Sequence, residues 1–150
     1  MTAWRLTHER FAEQALSGNG GLFAPGRWHS RGRRIVYASD SLALATLELF
    51  VNLPIKQQLA HYVKSRIEIP ESLIEVLKKP VLQTFLEAPE QFDSRSYGDA
   101  WLADKRSCVL QVPSRVVPQE WNYLLNPLHP SFNEITAMTD AYEVDGRLLL

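Results

Sequence analysis

The chain has 150 residues, 45% of them hydrophobic, and a formal net charge of −1. One domain with a sizeable core is expected over residues 1–150, and the near balance of charge argues against a general nucleic-acid or membrane-surface binder. The lone cysteine, Cys108, excludes an internal disulfide; in the apolar run Cys108-Val109-Leu110 it reads as a buried thiol, which suits a reducing, cytoplasmic setting.

The first residues, MTAWRLTHERF, lack the apolar core of a secretory signal, and no apolar run approaches the roughly 20 residues of a membrane helix. Ala3-Trp4-Arg5-Leu6 alternates and predicts a first strand, with Arg5 facing away from Trp4 and Leu6. Phe11, Ala12, Ala15 and Leu16 fall on one helical face, and Ser17-Gly18-Asn19-Gly20-Gly21 stops that helix. Pro25-Gly26 signals a turn. Residues 33–38 predict a strand. Ser39 or Asp40 would cap a helix with its body at 42–50, apolar on nearly all sides and therefore expected to be buried.

Further on, 62–69 alternates as a strand. Residues 70–79 form a short amphipathic piece, and 80–90 show no clear period. Residues 94–103 predict a helix with Trp101 and Leu102 inward. A strand over 107–112 is closed by Pro113, and 114–118 is extended between prolines. Residues 122–130 read as a loop, 131–138 as a short helix and 141–150 as a last strand. There is no internal repeat or linker. Strands and short helices are mixed rather than alternating strictly, which favours α+β over a doubly wound sheet.

The stretch 20–48 carries the chemistry. It opens as a glycine-rich loop dense in guanidinium groups (Arg27, Arg31, Arg33, Arg34), passes through Tyr37 in a strand, and ends at Glu48, a lone carboxylate in an apolar helix. A buried carboxylate is costly unless paired or hydrogen-bonded, so Glu48 stands out. The four histidines are scattered and there is no cysteine pair, so no metal site is expected. Gly18-Asn19-Gly20-Gly21 is neither a P-loop nor a dinucleotide fingerprint. Ser114, after a proline, offers no nucleophile elbow. Arginine can grip a pyrophosphate in a bidentate manner, tyrosine can stack on a planar ring, and a single carboxylate can stabilise an oxocarbenium-like centre. These needs coincide in cleavage of the N-glycosidic bond of a nicotinamide dinucleotide.

Several short pieces then fall into one order: Trp4-Arg5-Leu6, Gly26-Arg27-Trp28-His29-Ser30-Arg31-Gly32, Val36-Tyr37-Ala38-Ser39, Ala45-Thr46-Leu47-Glu48, Val112-Pro113-Ser114, the segment from Asn122 to Pro130, and Asp145-Gly146-Arg147-Leu148. In this order they resemble the RES domain, the toxin half of a bacterial toxin–antitoxin pair, over nearly the whole chain. The resemblance implies an ADP-ribosyltransferase-like fold, a split and mainly antiparallel sheet flanked by helices, with NAD⁺ held as substrate in the cleft and no further cofactor. It implies NAD⁺ loss by hydrolysis or phosphorolysis at the nicotinamide–ribose bond. The alternatives are transfer of ADP-ribose to a host protein and a non-enzymatic nucleotide-binding module. It also implies a helical Xre-type antitoxin that blocks the cleft, in a complex with more than one copy of each chain, any DNA contact being made by the antitoxin.

Carried onto this sequence, the resemblance makes Arg27, Tyr37 and Glu48 the catalytic set: Glu48 at the ribose, Tyr37 at the nicotinamide ring, and Arg27 orienting phosphate or ribose. Arg5, Ser114, Gly26 and Trp28 would complete the NAD⁺ pocket, with Trp28 first a packing residue. Asn126 and His129 would shape a loop.

Overall fold

A computed structural model describes residues 1–150. Its strands are β1 (Thr2–His8), β2 (Val36–Ser39), β3 (Tyr62–Glu68), β4 (Ile74–Val76), β5 (Val109–Pro113), β6 (Trp121–Leu125) and β7 (Thr136–Ala141). They form one sheet in the order β4-β5-β6-β2-β1-β3-β7, antiparallel except for β4 against β5. Its helices are α1 (Gly20–Phe23), α2 (Leu42–Asn52), α3 (Lys79–Glu87) and α4 (Ser94–Asp104). This is the mixed α+β architecture expected, with helices flanking a many-stranded sheet.

The sheet is nearly divided in two. β1 runs along the full length of β3, from Thr2 opposite Glu68 to His8 opposite Tyr62. Against β2 it pairs at a single position, Trp4 opposite Ser39. The strands therefore splay beside that one contact, and α2 packs against both β1 and β2 at the divide.

The central strands are buried on both faces, which explains their continuous apolar runs. Val36, Ala38, Val109, Tyr123 and Leu125 join Ala3, Ile67 and Ile135 in one core. Ile35, Leu110, Val112 and Leu124 point the other way and meet Trp28, Phe85, Trp101 and Leu102. Full burial of a side chain such as Phe85 or Leu110 contributes about 1.5–3 kcal/mol. Cys108 is buried as expected, and burial pushes its thiol up to about 11, so it is held as a neutral apolar group.

Several elements depart from the sequence reading. The segment after β1 is a kinked 3-10 turn over Glu9–Gln14 rather than an α-helix, with non-helical torsions at Phe11, whose ring stays half exposed. The His8 side chain accepts from the Arg10 N–H and sets this tighter turn. The cap of α2 is Ser41, whose hydroxyl accepts from the Leu44 N–H. Only Leu44 and Ala45 of α2 are buried, so the helix rests on the sheet at β1 and β2 with its outer side open to solvent rather than sunk in the core. α3 starts with Pro80 in its first turn, where the missing N–H costs nothing, although the proline obscured the helix in the sequence.

The expected loop after Asn122 begins with a central strand, β6, which ends before the proline at 127. The expected helix at 131–138 is a 3-10 turn over Phe132–Glu134 followed by β7. β7 is exposed along its length; its backbone pairing with β3 holds it, helped by Ser65 Oγ 2.7 Å from Thr139 Oγ1. The last residues form a 3-10 turn over Gly146–Leu149 rather than a strand. Asn126 does shape its loop: its side chain donates to Leu102 O and accepts from Leu128 N. His129 likewise accepts from Ser131 N. No helix is long and apolar enough to cross a membrane.

Candidate active site

A cleft of about 1140 Å³ opens where β1 and β2 splay. β1 supplies Trp4, Arg5 and Leu6, β2 supplies Tyr37 and Ser39, and α2 supplies Glu48 and Asn52. The loop before β2 adds Gly26, Arg27 and Trp28; Glu90, Arg95 and Arg115 line the solvent-facing part. Arg5, Gly26, Arg27, Trp28, Tyr37 and Glu48, separated by up to 43 positions in the chain, thus share one cavity. Ser114 does not line it. Its side chain is fully buried behind Glu48.

Glu48 is half buried and held by two donors on the same oxygen. Ser114 Oγ donates to Oε1 at 2.6 Å and Asn122 Nδ2 at 2.7 Å. Charge-assisted bonds of this kind are about twice as strong as neutral ones. The donors answer the cost of placing a carboxylate on an otherwise apolar helix, and they leave Oε2 without a protein donor.

Arg5 reaches from β1 to β2 and donates through Nη1 to the Tyr37 carbonyl at 2.9 Å, while its Nε is buried with no partner. Burial lowers its affinity for the proton, and Tyr37 opposes that.

Tyr37 is fixed by its hydroxyl. The O–H lies 2.7 Å from His29 Nδ1 and accepts from the Trp28 N–H at 3.2 Å. On the other side of the imidazole, Nε2 lies 2.9 Å from the Ala24 carbonyl, which can only accept. Nε2 therefore carries the proton, and Nδ1 accepts from Tyr37. Burial holds His29 below its ordinary value, and it pushes the Tyr37 phenol well above its own, so both act as neutral groups. The ring of Tyr37 remains on the cleft wall. Gly26 lies directly over this pair: a Cβ there would meet Tyr37 Oη at 2.6 Å and His29 at 2.9 Å.

The loop carrying Arg27 is clamped by α4. Ser94 Oγ donates to the Arg27 carbonyl at 2.6 Å, and Arg95 Nε to the Gly26 carbonyl at 2.8 Å. Asp99 accepts from Ser30 N at 2.9 Å and from Ser30 Oγ at 2.5 Å, and pairs with Arg33 at 3.2 Å. Trp28 packs its indole on Phe85, with centroids 5.2 Å apart, so it faces the core and adds mainly backbone to the cleft. The Arg27 side chain is exposed and has no hydrogen-bond partner. Nearby, Glu90 bonds Arg115 at 2.9 Å, and Arg115 first, then Arg27, hold its carboxyl below the usual range.

Of the seven residues expected at the site, six line this cleft and Ser114 lies behind it, while the residues that support them were missed. His29 enters the sequence reading only within its motif and Ser39 only as a candidate helix cap, while Asn122, Ser94 and Asp99 have no role there. The alternation Trp121-Asn122-Tyr123-Leu124 was the available signal for Asn122, hidden by the prolines downstream.

A split, mainly antiparallel sheet with a glutamate delivered by a helix into the cleft at the split defines a mixed α+β protein of the ADP-ribosyltransferase-like kind. The chain belongs to the RES domain family, whose pattern matches residues 2–145. It is 34% identical to Toxin Res of Photorhabdus laumondii over 152 aligned positions, covering 99% of this chain and 97% of that protein. It is 36% identical to the Prs ADP-ribosylating toxin of a Sphingobium species, covering 89% and 87%. Its fold is similar to a chain in the crystal structure of the M. tuberculosis MbcT-MbcA toxin–antitoxin complex, with TM-score 0.70 and 16% identity over 93% of this chain and 84% of that one.

Proposed function

We propose that this protein is an NAD⁺-consuming toxin that cleaves the nicotinamide–ribose bond, by hydrolysis or phosphorolysis. The observation that carries the reading is the Glu48 carboxylate, held through Oε1 with no protein donor on Oε2, on a cleft that Arg5, Arg27 and Tyr37 also line. As the C1′–N1 bond breaks, its electron pair stays with nicotinamide, which leaves as a neutral molecule, and positive charge develops on the ribose. A preorganised carboxylate lowers the energy of that charge more than that of the ground state. The Tyr37 ring stacks on the nicotinamide, and Arg27 orients phosphate or ribose. Water or phosphate then attacks C1′.

The test is incubation of purified protein with NAD⁺, resolving products by mass with and without phosphate. Nicotinamide release that vanishes in Glu48→Gln is expected, and the second product names the acceptor. Glutamine retains the oxygen that accepts from Ser114 and Asn122, so the variant should stay folded. A folded Glu48→Gln protein with full activity would overturn the assignment.

Kinship with the Prs ADP-ribosylating toxin favours a second reading, transfer of ADP-ribose to a protein. Labelled NAD⁺ added to cell lysate separates the two, since transfer leaves label on a protein band. In either reading the partner is an Xre-type antitoxin that covers the cleft, in an assembly with more than one copy of each chain, and DNA is met through the antitoxin.

A further inference from the structure

We propose that Asn122, locked in one orientation by Ser39, is a positioning residue that fixes the Glu48 carboxylate so that one oxygen is taken up by the protein and the other is left for the ligand. This rests on the reading above, in which Glu48 meets the ribose. Ser39 and Asn122 stand directly opposite each other in the β2–β6 ladder, so their side chains share a face of the sheet. Ser39 Oγ donates to Asn122 Oδ1 at 2.7 Å. An amide oxygen only accepts, so this bond fixes the amide and turns its NH₂ toward Glu48 Oε1. A flipped amide would set its oxygen against the carboxylate.

Ser114 is constrained in the same way. Its oxygen accepts from the Val116 and Val117 N–H groups at 3.1 and 2.9 Å, leaving its single hydrogen for Glu48 Oε1. Both directing hydroxyls lie out of water, with Ser39 4% and Ser114 0% exposed. Asn122 sits between β2 and β5, opposite Ser39 and Val112, so its backbone is pinned from both sides. The carboxylate is thereby held by its inner oxygen, and Oε2 is the one left for the developing cation. A site built on paired strands with such supporting bonds keeps the precision that catalysis needs.

The experiment compares steady-state NAD⁺ cleavage by wild type, Asn122→Ala, Asn122→Asp, Ser39→Ala and Ser39→Thr, each checked for thermal unfolding. Loss of one charge-assisted bond predicts a roughly ten- to hundredfold fall in kcat for Asn122→Ala, with KM within about twofold. Ser39→Ala should lose part of that, and Ser39→Thr, which keeps the hydroxyl, should recover it. Wild-type kcat in Asn122→Ala, or a loss confined to KM, overturns the proposal.

Crystal structures of wild type and Asn122→Asp supply a readout independent of turnover. The Asp variant, isosteric but with a second carboxylate in place of the donor, should show Glu48 turned away from residue 122; an unmoved Glu48 overturns the proposal. If wild type neither releases nicotinamide nor labels protein, the proposed function falls. The crystal comparison still decides whether Asn122 positions Glu48.

Discussion

A Cβ placed on Gly98 would lie 1.7 Å from the carbonyl oxygen of Trp28. α4 therefore touches the Arg27 loop backbone to backbone, and its clamp through Ser94, Arg95 and Asp99 depends on that closeness. Gly98→Ala must push the loop away. We expect a loss of about 3 kcal/mol in urea unfolding, at the upper end for overpacked sites, and a larger loss of NAD⁺ cleavage than stability alone explains. Gly20→Ala, where a Cβ meets nothing within 4 Å, is the control and should leave stability nearly unchanged.

Tyr37→Phe separates the ring from its hydroxyl. The ring stays on the cleft wall, while the Trp28 N–H loses its acceptor and His29 Nδ1 its donor. Stability should fall by about 1–3 kcal/mol. Nicotinamide release should persist at a reduced rate, whereas Tyr37→Ala should abolish it. Equal loss in both variants would show that the hydroxyl, not the ring, is the working part.

Much of this site was legible from residue type and order, and the reasons differ between its parts. Glu48 stands out because a carboxylate conflicts with an apolar helix, and Tyr37 because it lies between the arginine-rich loop and that helix; Arg5 enters only through the resemblance. Ser39 and Asn122 conflict with nothing, since serine beside a turn and asparagine near prolines are unremarkable; only strand pairing makes them neighbours. The same applies to the fold. β2 and β5, with apolar residues facing both cores, were visible, whereas β6 was hidden by the prolines after it, and β7, exposed on every residue, has no apolar pattern to read because pairing with β3 defines it. α2 misled in the other direction, since exposed Leu47 and Val51 read as core.

His29 gives the fold a pH dependence of known sign. Burial, the largest cause, holds its folded-state value below the ordinary one of about 6.5, while the Ala24 carbonyl pulls the other way. The unfolded chain then binds more protons than the folded one as pH drops below about 6.5, so stability falls from there toward the folded-state value. Thermal unfolding at pH 7.5 and 5.5 should show wild type losing more than His29→Gln between the two. Parallel losses would show that His29 is not the group responsible.

Glu90 places a negative charge among the cleft's exposed arginines, bonded to Arg115 and close to Arg27. Glu90→Gln should leave the melting temperature unchanged, because an exposed pair adds little to stability. It should lower KM for NAD⁺ severalfold at low salt by freeing Arg115 and removing a negative charge near Arg27, so that both favour the substrate's phosphates. That advantage should shrink as salt is raised. A KM that is unchanged at low salt would place both arginines outside the binding path.

The near-division of the sheet leaves the Tyr37 carbonyl without a strand partner on the β1 side, and the Arg5 guanidinium fills that gap. One side chain thus serves as a rung of the ladder and as a wall of the cleft. Beyond the Trp4–Ser39 pair, a side chain rather than a strand bridges the two sheet halves. A lysine at position 5 would keep the charge but lose the planar fork of donors that makes this bridge. Chamber shape and sheet continuity are inherited together through this residue.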